Sequence, residues 1–78
     1  MDAARVRQAK FRQTLRGYQV HEVDAFLERL VTEIEAGGPV GELCQQVHFP
    51  QALRGYPVDD VDRFLAEVAG GEGSITHI

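Results

Sequence analysis

Asp24 and Glu28 are the residues of this chain best suited to recognition by charge. Four positions apart, they share one face of any helix that contains both. Two carboxylates so placed can take a guanidinium fork through charge-assisted hydrogen bonds. Two Leu-Arg pairs, Leu15-Arg16 and Leu53-Arg54, offer a second chemistry: an apolar side chain followed by a cation, directly before a glycine. In a loop such a leucine is hard to bury. The arginine has two uses open to it, the unpaired carbonyls of a helix end or an anionic phosphate. Catalytic chemistry finds little to work with. His21, His48 and His77 lack metal-ligand spacing, Cys44 has no partner cysteine, and no nucleophile is accompanied by a plausible base. The sequence predicts no enzyme, no metal and no cofactor.

These pairs recur because the chain contains an internal repeat. Phe11–Leu30 aligns without a gap on Phe49–Val68, at an offset of 38 residues, and eleven of the twenty aligned positions are identical. A repeat of this length implies one structural unit used twice. In each unit the spacing predicts a short helix, a tight loop and a longer helix. Val20, Val23, Leu27, Leu30 and Ile34 step by three and four, as do Val58, Val61, Leu65 and Val68, so each long helix carries an apolar seam. Phe26 and Phe64 widen that stripe. Neither helix is long enough to stand alone, so tertiary packing must hold it. Val6 and Cys44 match as core positions of the short helices, which makes Cys44 a small hydrophobe rather than a reactive thiol. Gly17 and Gly55 are expected to supply a positive φ at a helix exit, and Gly37-Gly38-Pro39 to separate the units. The expected boundaries are a first hairpin over 1–36, a second over 39–69 and a flexible tail over 70–78.

At 78 residues the chain has room for one small domain, burying only ~60% of its unfolded surface. One unpaired cysteine suits a reducing compartment, and no apolar run approaches the ~20 residues that span a bilayer. The expectation is a soluble cytoplasmic protein with at most peripheral membrane contact. The net charge of −4 is unevenly spread. Residues 1–16 carry five basic side chains and one acidic, a balance of +4, whereas residues 17–36 stand at −4. The basic arm is either a solvated helix face or a contact for an anionic partner. Nucleic acid is a poor candidate, because both long helices are acidic where a recognition helix should be basic.

The pattern Phe-x3-Leu-Arg-Gly-Tyr-x4-Val-Asp-x-Phe-Leu, present twice, resembles the N-terminal domain of the DivIVA/GpsB family of bacterial cell-division and polar-growth proteins. The likeness covers both units and stops before the glycine-rich end. It implies a parallel arrangement of helical hairpins with crossed loops. It implies loop tips, here Leu15-Arg16 and Leu53-Arg54, that contact curved membrane. It also implies a groove for basic tails of cell-wall synthesis proteins, whose tyrosine and acidic residues map onto Tyr18, Asp24 and Glu28, and onto Tyr56, Asp62 and Ala66 in the second unit. Read from the residues alone, the tyrosines are either packed on the long helices or turned to a ligand, and the aspartates either solvated or part of that groove. Three features depart from the family. The long coiled coil is missing, the usual N-cap aspartate after Gly-Tyr is Gln19 in one unit and Pro57 in the other, and Ala66 replaces an acid.

The resulting expectation is an all-α chain of two tandem helix-loop-helix hairpins packed as a pseudo-two-fold four-helix arrangement, with the two seams facing each other. Its expected role is a non-catalytic adaptor or scaffold at the inner face of the membrane, at poles or septum. The alternative is a peptide-binding adaptor without membrane contact. Expected partners are an anionic membrane surface, cell-division or cell-wall synthesis proteins, and self-association or pairing with other DivIVA-domain proteins, with no nucleic acid.

Overall fold

The structure, a computed structural model, describes residues 3–70. Within these residues, four helices and two very short strands follow one another. They are α1 (Ala3–Gln8), β1 (Gly17–Tyr18), α2 (Val20–Ala36), α3 (Val40–Gln46), β2 (Gln51–Ala52) and α4 (Val58–Gly70). Of the expected tail at 70–78, Gly70 instead closes α4; the remainder lies outside the described residues.

Helix α2 starts without a side-chain cap. Gln19 sits in the extended N-cap conformation (φ −60°, ψ 128°) but makes no capping hydrogen bond. Burial of the seam must therefore hold the helix. The C-terminal end is sharper. Gly37 adopts a left-handed conformation (φ 76°), its N–H donates to Ile34 O (3.2 Å), and Gly38 N–H donates to Glu33 O (2.7 Å). This pair of bonds is a Schellman ending, which satisfies two otherwise orphaned carbonyls. Asp59 and Asp60 occupy the first turn of α4, where the helix dipole favours negative charge.

Helix α1 packs on α2 and α3 on α4, while α2 and α3 touch more lightly. The expectation that the two long helices pair seam to seam is met only in part: residues of both seams enter one core, but α2 and α4 are not among the closely packed pairs. The reason is that each seam already has a cover. The short helices lie against the long ones, and aromatic side chains from the other unit cross over to finish the job. Phe11 meets the ring of Phe64 (centroids 5.7 Å apart) and Phe49 meets that of Phe26 (5.6 Å).

The core keeps the period of the sequence. Val6 and Cys44, Val23 and Val61, and Leu30 and Val68 are three pairs separated by 38 residues, all buried. Cys44 sits among these apolar side chains as its spacing predicts, and burial pushes its thiol up to about 11. Each fully buried Val or Leu contributes roughly 1.5–3 kcal/mol.

The all-α expectation misses a small element. β1 and β2 pair antiparallel, Gly17 opposite Ala52 and Tyr18 opposite Gln51. Two further bridges join Thr14 to Gly55 and Tyr18 to Tyr56. Thr14 and Gly55 exchange both backbone hydrogen bonds (2.8 and 3.1 Å), as do Tyr18 and Tyr56 (2.9 Å each way). Two-residue strands have no periodicity to read; their pairing exists only because the two loops cross.

The crossing also corrects the role of its glycines. Gly37 is the only positive-φ residue among those described, so Gly17 and Gly55 are not there for backbone freedom. They are there for lack of space. A Cβ on Gly17 would strike the carbonyl oxygen of Tyr56, and one on Gly55 would strike that of Tyr18 and come within 2.7 Å of Gly17 C. Backbone cannot step aside as a side chain can.

The two classes of glycine predict an order of stability. Gly17→Ala and Gly55→Ala should each lower it by roughly 2–3 kcal/mol, the cost of overpacking a site that cannot relax. Gly37→Ala, where a Cβ meets nothing within 4 Å, should cost only the left-handed conformation, about 1 kcal/mol. Urea midpoints of the three variants check this; equal losses at Gly17 and Gly37 would contradict the packing account.

Candidate functional site

The crossing merges the two Leu-Arg pairs into one surface. Leu15-Arg16 lies between Thr14 and Gly17, and Leu53-Arg54 between Ala52 and Gly55. Thr14 bridges to Gly55 and Gly17 to Ala52, so the same two bridges frame both dipeptides and hold them side by side. Leu15 is 75% exposed and Leu53 80%, and among the described residues they are the large hydrophobics left in solvent. Arg16 and Arg54 are exposed beside them, as are Lys10 and Arg12 on the segment leading into the crossing. The two exposed tips of the sequence reading thus share one crossing, a knob with basic residues around it.

The groove residues are assembled differently from their order in the chain. Tyr18 and Asp24, expected together, are each taken by the other unit. Tyr18 OH donates to Asp62 Oδ1 (2.8 Å), and Tyr56 OH donates to Asp24 Oδ1 (2.9 Å). The rings behave likewise: Tyr18 packs on Phe49 (5.2 Å) and Tyr56 on Phe11 (5.3 Å). Burial, then the hydrogen bond and the charge of Asp62, raise the Tyr18 pKa above its ordinary value; burial and Asp24 do the same for Tyr56. The sequence marked these residues by repetition but could not say that the tyrosines would be exchanged. Phe11 and Phe49 were repeated too, and that repetition was the available sign of their part in the exchange.

Two cavities have equivalent linings. The first, about 530 Å³, is lined by Val6, Arg7, Ala9, Asp24, Leu27, Glu28 and Val31. The second, about 200 Å³, is lined by Tyr18, Cys44, Val47, Phe49, Asp62, Leu65, Ala66 and Ala69. Adding 38 to Val6, Ala9, Asp24, Leu27, Glu28 and Val31 reproduces six of those eight residues. Asp24 and Glu28 share a wall of the first cavity as their spacing predicts. The second has Ala66 where the first has Glu28, so it presents one carboxylate instead of two. Arg7, which also lines the first, pairs with Glu35 (2.8 Å). Among the described residues no group of three or more His, Cys, Asp or Glu side chains gathers as a metal site would require, and no helix is long and apolar enough to cross a membrane.

The tyrosine bonds predict a pH dependence. A pKa raised by folding means the neutral phenol is favoured in the folded state. The stability it contributes is complete below the ordinary tyrosine value of about 10 and is lost as pH rises through the folded one. Stability should therefore fall in strongly alkaline solution. Tyr18→Phe and Tyr56→Phe should each lower stability at neutral pH by roughly 0.5–1 kcal/mol, since the bonds are exposed, and should flatten the alkaline fall. Denaturation midpoints between pH 7 and 11 measure both effects.

Comparison with models of known protein families, with curated proteins and with solved structures finds no match for this chain.

Proposed function

We propose that this chain is a non-catalytic adaptor or scaffold module of bacterial cell division or polar growth, adhering peripherally to curved, anionic membrane through its paired loop tips. In this reading residues 1–36 and 39–69 are two helix-loop-helix hairpins in a pseudo-two-fold, four-helix arrangement. One chain thereby does what the DivIVA/GpsB family it resembles does with two. The reciprocal Tyr-Asp bonds and crossed aromatic pairs, each repeated at an offset of 38, support that arrangement. The observation that carries the membrane reading is the exposure of Leu15 and Leu53 in one knob beside Arg16 and Arg54. The place of action would be the inner face of the cell membrane at poles or septum, with cell-division proteins as partners.

Magnitudes make the adhesion weak and reversible. Burying one leucine in the acyl boundary contributes on the order of 1–2 kcal/mol, and each basic residue near an anionic surface adds about 1 kcal/mol. Sedimentation with anionic liposomes should fall roughly tenfold for Leu15→Glu and to a similar degree for Leu53→Glu, because both belong to one surface. It should also fall with salt. Unequal losses would favour two independent tips. Unchanged sedimentation of both variants would remove the membrane reading.

The first cavity favours a second reading, a peptide-binding adaptor for the basic tails of cell-wall synthesis proteins without membrane contact. Its two carboxylates over the apolar floor of Val6, Leu27 and Val31 suit an arginine side chain. An arginine-bearing peptide should lose more affinity to Asp24→Ala than to Asp62→Ala, because only the first cavity has a second acid. Equal losses would end the argument from asymmetry.

A further inference from the structure

The contacts that join the two units are all of a kind that a second copy of the chain could supply. Tyr18 needs the aspartate of a second unit and Tyr56 that of a first. Phe11 needs Phe64 and Phe49 needs Phe26. Nothing in these pairs requires both partners to lie on one chain. What closes them within one chain is the connection at Gly37, Gly38 and Pro39. That connection depends on the left-handed conformation of Gly37 (φ 76°).

From this we infer that the module exchanges units between chains. Two copies open at Gly37–Pro39, and the first unit of each closes on the second unit of the other. The exchanged dimer rebuilds every inter-unit contact of the monomer, so the two forms differ only in the hinge and in concentration. The short connection gives a high effective concentration for closure within one chain, so the monomer dominates in dilute solution and the dimer grows as the protein is concentrated. Anything that penalises the closed hinge alone shifts the balance. Gly37→Ala with Gly38→Ala does so through the left-handed backbone at Gly37, worth on the order of tenfold; a Cβ at Gly38 meets only the movable Glu33 carboxylate. The dimer would carry two Leu-Arg knobs and so bind any surface they recognise with greater avidity than the monomer. The inference rests on the tandem-hairpin reading above, though not on membrane binding.

Cross-linking across the units tests it. Arg5 and Glu67 form an exposed ion pair between α1 and α4 (3.5 Å), and so mark the inter-unit surface without touching the core. Two chains are made in a Cys44→Ser background with the Gly37→Ala/Gly38→Ala hinge, one with Arg5→Cys and one with Glu67→Cys. They are unfolded in urea, refolded together and treated with a short bis-maleimide. Exchange predicts a covalent heterodimer whose yield rises with protein concentration and exceeds that of the same pair with the natural hinge about tenfold or more. A yield no greater than in a control mixture of two Arg5→Cys chains overturns the proposal. If the alanine hinge prevents folding, the natural hinge at millimolar concentration gives the second measurement. There, heterodimer above the control supports exchange and its absence overturns it. A single chain carrying both cysteines separates the two readings. It should cross-link within itself whether or not units exchange, and its failure to do so would count against the tandem arrangement instead.

Discussion

The structure depends on one close passage of backbone over backbone, where Gly17 and Gly55 meet the carbonyls of Tyr56 and Tyr18. Hydrogen bonds from Thr14, Tyr18, Gly55 and Tyr56 close around that point. A passage this tight fixes where the segments on either side can go. On the helix side it delivers Tyr18 to Asp62 and Tyr56 to Asp24, and seats each Phe from the leading segments on the other unit's long helix. On the outer side it leaves Leu15-Arg16 and Leu53-Arg54 nowhere to turn but into solvent. Core closure and the exposed knob are thus two results of one constraint.

The same constraint explains why a chain of 78 residues needs no disulfide. A small core has little margin, and surface ion pairs such as Arg5–Glu67 and Arg7–Glu35 are exposed and add little. The crossing adds specificity at small cost in residues: it locks two weak hairpins together through aromatic contacts worth about 0.5–1.5 kcal/mol each beyond their buried area. Equivalence of the halves then ends at the cavities. Glu28 against Ala66 and Arg7 against Gln45 give one half a groove with two carboxylates and the other a smaller one with a single carboxylate.

Much of this was legible in the sequence. The three-four spacing of Val20, Val23, Leu27 and Leu30 marked α2, and its copy marked α4. Cys44 fell in the core because Val6 did. The terminator at Gly37 and the missing cap at Gln19 were readable from local chemistry alone. Three features were not. The strands are two residues long, too short for any periodic signal. Gly17 and Gly55 looked like positive-φ glycines because local rules know only the residue's own backbone, whereas the need for glycine came from a segment 38 residues away. The tyrosines were assigned within their own units for the same reason: repetition shows that a position is used twice, not whether its partner lies in the same copy.

The most direct test is the set of nuclear Overhauser contacts between aromatic rings in a dilute solution of the whole chain. The account predicts cross-peaks joining Phe11 to Tyr56 and Phe64, and Phe49 to Tyr18 and Phe26, with Leu15 and Leu53 showing none beyond their neighbours in the crossing. Contacts confined to one unit, with Phe11 against Phe26 and Phe49 against Phe64, would contradict it.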